Sequence, residues 1–221
     1  QTLKDASFRR AIRAELERPA HFRLFNGEWD KVVVVESRRG ELEQRPVAKL
    51  ARGAGKDPLD FMLDLALEED LGTVFSALLL NSDEAAVARL LRHPAALVSL
   101  SDAGAHLTFF NDAGFGLHLL GHWVRELGVL DLAQAAWRLA GQPAQLFGLR
   151  SRGALRPGFH ADLLLFDPAS VGRGPKRRVY DLPAGQPRLT SSPLGVRGVW
   201  VNGVRIADAA GAQPQPLPGR L

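Results

Sequence analysis

The stretch AALVSLSDAGAH at residues 95–106 decides how the rest of the sequence is interpreted. Its first six residues form a short, mainly apolar run, which is typical of a buried strand. Ser101 and Asp102 follow directly, at the carboxyl end of the predicted strand. Because active residues of α/β proteins lie at the carboxyl ends of parallel strands, Asp102 is the first candidate functional residue.

Upstream of this stretch, apolar runs alternate with helical patterns. Strands are predicted at residues 32–35 and 73–80, and helices at residues 7–16, 47–52, 59–68 and 82–92. Such an alternation predicts an α/β fold with a parallel sheet and crossover helices.

Downstream, two further helices are predicted at residues 117–127 and 132–139, and Gly141 and Pro143 are expected to end the helical region. After Arg150 the pattern changes to β-structure. A strand is predicted at residues 163–166, a long loop rich in Pro, Gly and Arg at 172–193, a hairpin around Asn202-Gly203, and an irregular tail from Ala209. Asn-Gly indicates a hairpin because both residues accept the positive φ angles of a type I′ turn.

The composition is that of a soluble globular protein, with 46% hydrophobic and 24% charged residues in 221. No apolar run approaches the roughly 18 residues that a membrane helix needs, so no membrane partner is expected and a cytoplasmic address fits. The 28 basic and 24 acidic residues give a net charge of +4, and the basic ones are scattered without interleaved aromatic residues. This pattern disfavours nucleic-acid binding.

The chain contains no cysteine, which excludes disulfides and thiolate metal ligands within these residues. It starts at Gln1, and Met62 is its single methionine. These features predict a chain cut from a longer one, and nothing in them indicates the oligomeric state.

A series of short motifs occurs in a familiar order. The motifs are SDAGAH (101–106), GHWVRE (121–126), FGL (147–149), RG (152–153), RPG (156–158), ADL (161–163), FDP (166–168) and VNG (201–203). In this order they resemble the C-terminal region of amidohydrolase-superfamily enzymes, most closely the N-acyl-D-amino-acid deacylase (D-aminoacylase) group. The resemblance runs from about Pro46 to Leu221.

The resemblance implies the C-terminal part of a TIM-like (β/α)8 barrel at residues 1–150, followed at residues 151–221 by strands of a small β-sandwich. In that fold Asp102 closes the eighth barrel strand, and the chain begins after the sixth. The sandwich strands would be residues 161–167 and 199–206.

The resemblance also implies that Asp102 is both catalytic and a ligand of a divalent metal, with zinc expected. It would take a proton from the attacking water and pass it to the leaving nitrogen of a small-molecule amide. On sequence alone, the favoured interpretation is that Asp102 caps a turn or the following helix, since Ser-Asp is ordinary loop chemistry. The downstream motifs favour the catalytic interpretation.

Histidines are the other candidates for the site. His106 lies on the same loop as Asp102 and is a candidate substrate-binding residue, or alternatively a surface histidine. His118 and His122 have the i, i+4 spacing of a helical zinc pair, but no glutamate lies between them, and packing is the favoured interpretation. The sequence has no His-x-His, so the other metal ligands are expected outside these residues.

One departure concerns the substrate. Deacylases of this type carry an arginine shortly after the catalytic aspartate, and residues 111–122 hold none. Phe109, Phe110 and Phe115 indicate either a more apolar pocket or core packing. The alternatives are a cyclic-amide hydrolase of the dihydropyrimidinase or dihydroorotase kind and a truncated, non-catalytic chain.

Overall fold

The computed structural model describes residues 2–19, 23–103, 105–108, 112–212 and 217–219. The contacts divide the chain into two compact units, Gln1–Glu84 and Ala85–Leu221. The assignment of residues 1–150 to a barrel and 151–221 to a sandwich stays a prediction. No helix among the described residues is long and apolar enough to span a bilayer.

Besides short 3-10 helices, the described residues of the first unit form three α-helices and two strands. They are α1 (Ala6–Glu17), β1 (Val32–Glu36), α2 (Val47–Gly53), α3 (Pro58–Glu68) and β2 (Val74–Ala77). The Asp57 side chain accepts hydrogen bonds from the backbone of Leu59 and Asp60, and Pro58 occupies the first turn of α3. Asp57-Pro58 is therefore a helix start, as the sequence predicts. Buried residues of β1, α2 and α3 form the core of this unit: Val32, Val34, Val47, Leu50 and Leu65.

The prediction of a parallel sheet is wrong for this unit. β1 and β2 pair antiparallel, with Val33 opposite Ser76 and Val34 opposite Phe75. The alternation of strands and helices did not predict the direction of strand pairing. Two helices, α2 and α3, connect β1 to β2, and a connection with two helices can place the second strand parallel or antiparallel to the first.

All of α4 (Glu84–Arg92) except its first residue belongs to the second unit. Two long helical segments follow, and each changes its hydrogen-bonding pattern along its length. α5 (Phe115–His118) runs into a π-helical turn at Leu119–Glu126. α6 (Leu132–Ala136), a π-helical turn at Trp137–Gly141 and α7 (Gln142–Leu146) follow one another without a break.

Gly141 and Pro143 do not end the helix, contrary to the prediction. A proline ring normally clashes with the carbonyl four residues earlier, and a wider π turn precedes Pro143 here. A Cβ atom on Gly141 would lie within 3 Å of the Trp137 ring. Gly141 is thus required by close packing inside the helix and does not act as a breaker.

Six strands follow in the part of the second unit that the structure describes. They are β3 (Leu163–Phe166), β4 (Gly172–Val179), β5 (Arg188–Leu194), β6 (Val196–Val201), β7 (Val204–Asp208) and β8 (Gly211–Ala212). β3, β6, β7 and β8 form one antiparallel sheet in the order β3-β6-β7-β8. Asn202 and Gly203 connect β6 to β7 with φ angles of 49° and 80°, which confirms the predicted hairpin.

The segment predicted as a long loop at residues 172–193 is instead the antiparallel hairpin β4–β5. Its register shifts between Arg173 and Lys176, so Gly174 and Pro175 lie in a bulge. Bulges and strand ends are where a sheet accepts glycine and proline. The residue types that predicted a loop therefore mark an irregularity within a hairpin.

The described structure has no strand at residues 95–100, contrary to the prediction. Ser99 and Leu100 are exposed, and Val98 packs against the core of the second unit. The carbonyls of His93, Pro94 and Ala96 accept hydrogen bonds from the side chains of Arg138 and Gln142. Side chains thus satisfy the polar groups that a neighbouring strand would otherwise satisfy.

Candidate active site

Asp102 lies exposed in an irregular loop that leads towards α5. The Ser101 hydroxyl accepts a hydrogen bond of 3.2 Å from the Ala103 backbone, and the Asp102 carbonyl accepts one of 3.0 Å from the Ala105 backbone. Asp102 has a φ of 49°, a left-handed conformation that aspartate and asparagine tolerate better than most residues. The sequence therefore suits a tight turn that exposes an aspartate.

A cavity of about 270 Å³ adjoins this turn. Its walls are the Asp102 loop, the start of α5 and the hairpin β4–β5. The lining residues include Ala103, Leu107, Gly114, Leu117, Arg173, Arg188 and residues 189–193. The cavity is therefore apolar on its loop and helix side, with two arginines on its hairpin side.

Arg173 is the less exposed of these two cations. Its side chain is 22% exposed and lies 3.3 Å from a carboxylate oxygen of Asp112. The stem of Arg173 passes so close to Gly114 that a Cβ atom there would be 2.7 Å away. Gly114 therefore leaves room for Arg173 to reach the cavity wall.

A second cation shares the same carboxylate. Lys176 Nζ lies 3.8 Å from the Asp112 oxygen that Arg173 contacts. Burial lowers the pKa of Lys176, and Arg173 lowers it further, while Asp112 raises it. Asp112 thus lies between two cationic side chains.

Sequence reasoning missed both cations because it placed them in a loop. Within the hairpin register, Arg173 pairs with Pro193 and Lys176 with Ser191, across the bulge. A signal for them would have been a β-hairpin pattern, which Gly174 and Pro175 obscure.

His118 and His122 stack on one another, with ring centroids 4.9 Å apart. Nδ1 of His122 lies 2.9 Å from a Glu126 carboxylate oxygen. Burial, Arg173 and His122 together lower the pKa of His118 to about 4. His118 is thus a neutral packed ring at neutral pH, in keeping with the packing role expected for this pair.

The remaining candidates divide between described and undescribed residues. His106 is exposed on the Asp102 loop, and its substrate role stays a prediction. Phe109 and Phe110 lie outside the described residues, whereas Phe115 is half-buried at the start of α5.

The described residues alone do not make a metal centre. Within residues 2–19, 23–103, 105–108, 112–212 and 217–219, no three side chains of His, Cys, Asp or Glu are grouped so that they could hold an ion. The exposed carboxylate of Asp102 suits one ligand of a hard or borderline cation. A complete site would need ligands from outside these residues.

The pattern of the amidohydrolase family matches residues 9–207 of this sequence. The chain belongs to the amidohydrolase family. This confirms the resemblance drawn from the motif order, and it covers the Asp102 loop, the cavity and both β-hairpins.

Curated members of the family are similar over most of the chain. A D-aminoacylase of Alcaligenes xylosoxydans xylosoxydans is 30% identical over 168 residues, which is 75% of this chain and 31% of the relative. An N-acyl-D-aspartate deacylase of the same organism is 30% identical over 186 residues, covering 77% of this chain and 34% of the relative. The chain thus spans about a third of the length of these relatives.

Solved structures of the family are similar as well. A D-aminoacylase described with a binuclear metal centre shares 27% identity, with a TM-score of 0.46, over 83% of this chain and 36% of the other. An N-acyl-D-glutamate deacylase from Bordetella bronchiseptica, complexed with zinc and a phosphonate inhibitor, shares 29% identity, with a TM-score of 0.43, over 85% of this chain and 37% of the other.

Proposed function

We propose that this chain contributes the catalytic aspartate of a metal-dependent hydrolase that cleaves the amide C–N bond of N-acyl amino acids. The observation that carries the proposal is the placement of Asp102 on an exposed turn beside a cavity with cationic residues on one side. Support comes from membership of the amidohydrolase family and from relatives named as deacylases of N-acyl-D-amino acids.

Asp102 is the proton carrier in this proposal. Amide hydrolysis needs a base to deprotonate the attacking water and an acid to protonate the departing nitrogen. One carboxylate performs both tasks in turn, because the proton that it accepts from water is the proton that it gives to the amine. In its carboxylate form Asp102 begins the cycle as the base.

Asp102 would also be a ligand of a divalent cation, for which zinc is the candidate. Such a cation would supply a water molecule whose pKa is lowered from about 15.7 towards about 7. In this proposal the other ligands come from residues outside this chain. Among the described residues, no three candidate ligands are grouped. The 221-residue chain alone would then be inactive.

Arg173 is the candidate for recognising the substrate carboxylate. The loop after Asp102 contains no arginine up to His122, where related deacylases are expected to have one. Arg173 brings a guanidinium to the wall of the adjoining cavity from the hairpin β4–β5 instead. A guanidinium binds a carboxylate through two parallel hydrogen bonds, which gives both affinity and orientation.

The test is a substrate comparison with the full gene product from which this sequence comes. N-acetyl-D-amino acids, their L-enantiomers and hydantoins are assayed with and without added Zn²⁺, and metal content is measured in parallel. The proposal expects turnover of N-acyl amino acids that a chelator removes and Zn²⁺ restores. Turnover of hydantoins alone would identify a cyclic-amide hydrolase, and no turnover of any amide in the zinc-loaded protein would contradict a catalytic role.

Metal analysis of the 221-residue chain is a second test. The proposal expects well below one equivalent of zinc in the purified chain. Stoichiometric zinc there would show that these residues hold a complete site, and the need for ligands from elsewhere would be disproved.

A further inference from the structure

Two side chains bind the backbone of residues 93–96, the segment before Asp102. They lie four residues apart on the continuous helical segment that runs from Leu132 to Leu146. Arg138 donates hydrogen bonds to the carbonyls of His93 at 2.9 Å and Ala96 at 2.8 Å. Gln142 donates to the carbonyls of Pro94 at 3.1 Å and Ala96 at 3.0 Å, and its own side-chain oxygen accepts from Arg138 at 3.1 Å. Three carbonyls within four residues are thus satisfied by one interlocked pair.

Arg138 is 8% exposed, so its charge is largely removed from water. Its described acceptors are two backbone carbonyls and the Gln142 amide, all of them neutral. Burying a cation beside neutral groups costs free energy unless its donors are well satisfied. The planar guanidinium holds its N–H donors in a fixed geometry. It therefore satisfies the carbonyls of residues 93–96 in one backbone arrangement.

The held segment leads directly to the candidate catalytic residue. Asp102 follows Ala96 by six residues, and between them Val98 packs against the core of the second unit. No strand pairing holds residues 95–100 in the described structure. The Arg138–Gln142 pair and Val98 are therefore the described anchors that set where the Asp102 loop begins.

We propose that Arg138 and Gln142 are positioning residues for Asp102, acting through the backbone of residues 93–96. The catalytic part of this proposal rests on the proposed function, whereas the positioning itself does not. A displacement of a catalytic group by 1 Å costs on the order of 10²-fold in rate, so a loosened anchor would lower kcat more than it raises KM.

A merely structural role is the competing explanation. The carbonyls of residues 93–96 follow the C-terminus of α4, where a cation stabilises the helix dipole. Arg138 could then stabilise the fold without affecting Asp102. A positioning role predicts that the folded variants have a more mobile Asp102 loop and a lower kcat. A merely structural role predicts neither change once the variant is folded.

The experiment compares Arg138→Met and Gln142→Leu with Gln145→Leu in the full gene product. Gln145 lines the same groove as Arg138 and Gln142 and is exposed, which makes it the matched control. Hydrogen exchange is followed in peptides covering residues 97–106, and kcat and KM are measured on N-acyl amino acids at saturating Zn²⁺. Gln142→Leu keeps the buried arginine and tests the proposal if Arg138→Met does not fold.

We expect roughly tenfold faster exchange in the Asp102 loop for both variants. Their kcat should fall by about 10-fold to 100-fold, with little change in KM. Gln145→Leu should change neither the exchange rate nor the kinetics. The effect of Gln142→Leu on kcat should also disappear in an Asp102→Asn background, because residues that act as a unit are non-additive. Unchanged exchange in the loop of the folded variants would overturn the positioning role. Faster exchange in the variants, together with a wild-type protein that has no amidase activity, would leave the positioning role intact and refute the proposed function instead.

Discussion

The backbone N–H of Leu189 donates a hydrogen bond of 2.9 Å to the carbonyl oxygen of Leu107. This bond joins the hairpin β4–β5 to the loop that carries Asp102, five residues after the aspartate. The two residues also line the cavity. A backbone hydrogen bond therefore links the loop that carries the candidate catalytic group to the hairpin that carries the candidate substrate-binding group.

Replacing Arg173 tests whether the hairpin recognises a carboxylate. In the full gene product, Arg173→Met should raise KM for an N-acyl amino acid by roughly 10-fold to 100-fold, because a hydrogen bond to a charged group contributes about 1.5–3 kcal/mol. The value of kcat should change little. Steady-state kinetics with the acid and with its neutral primary amide give the measurement, and the amide should respond little to the substitution.

Arg197→Met is the matched control for Arg173→Met. Arg197 lies on β6, is 61% exposed and faces Asp167 at 3.7 Å, away from the residues that line the cavity. An equal rise of KM for the acid and its amide in Arg173→Met would exclude a carboxylate contact and indicate a loss of packing.

The ionisation of His118 gives a pH-dependent prediction. Burial first, then Arg173 and His122, lower its pKa to about 4 in the folded chain from an ordinary value of 6.5. Between these values the unfolded chain binds more protons than the folded one, so stability falls as the pH drops from about 6.5 towards about 4. NMR titration of ring-labelled histidines should show one ring that stays neutral down to about pH 4.

His160 offers the comparison within the same sample. It is exposed, and its signal serves as the reference for a ring in contact with solvent. His118→Asn should remove the signal with the low pKa and reduce the loss of stability between pH 6.5 and 4. A His118 signal that titrates near its ordinary value of 6.5 would show that the ring is not shielded from solvent.

Close packing at Gly121 leads to a stability prediction. A Cβ atom at Gly121 would lie 2.8 Å from the Val171 carbonyl oxygen and 2.9 Å from the Gly172 Cα. Gly121→Ala should destabilise the protein by about 1–3 kcal/mol, because backbone must move to make room. Gly116→Ala on the same helical segment is the control, since its Cβ atom would have ordinary contact with Leu139 at 3.6 Å. Thermal unfolding of the two variants gives the measurement, and equal midpoints would contradict this contact.

Local chemistry allowed parts of the fold to be predicted from sequence. Asp57-Pro58 marks a helix start and Asn202-Gly203 a hairpin because each pair has a strong intrinsic preference for the backbone that it adopts. The motif order around Asp102 also identified the family. These features depend on residues adjacent in sequence.

The features that sequence reasoning missed depend on distant contacts. The antiparallel pairing of β1 with β2 and the hairpin around Gly174-Pro175 are set by tertiary packing. The conformation of residues 93–96 depends on Arg138 and Gln142, more than 40 residues downstream. Arg173 became a candidate only once the hairpin placed it at the cavity wall.

The central claim is that Asp102 transfers the proton during amide hydrolysis, and the kcat of Asp102→Asn measures this most directly. Asparagine keeps the left-handed turn and removes only the titratable group. Asp70→Asn is the matched control, because Asp70 also has a positive φ, of 54°, and its side chain is 82% exposed. In the full gene product at saturating Zn²⁺, Asp102→Asn should lower kcat by about 10² to 10⁴, with Asp70→Asn unchanged. A kcat for Asp102→Asn equal to that of the wild type would contradict the claim.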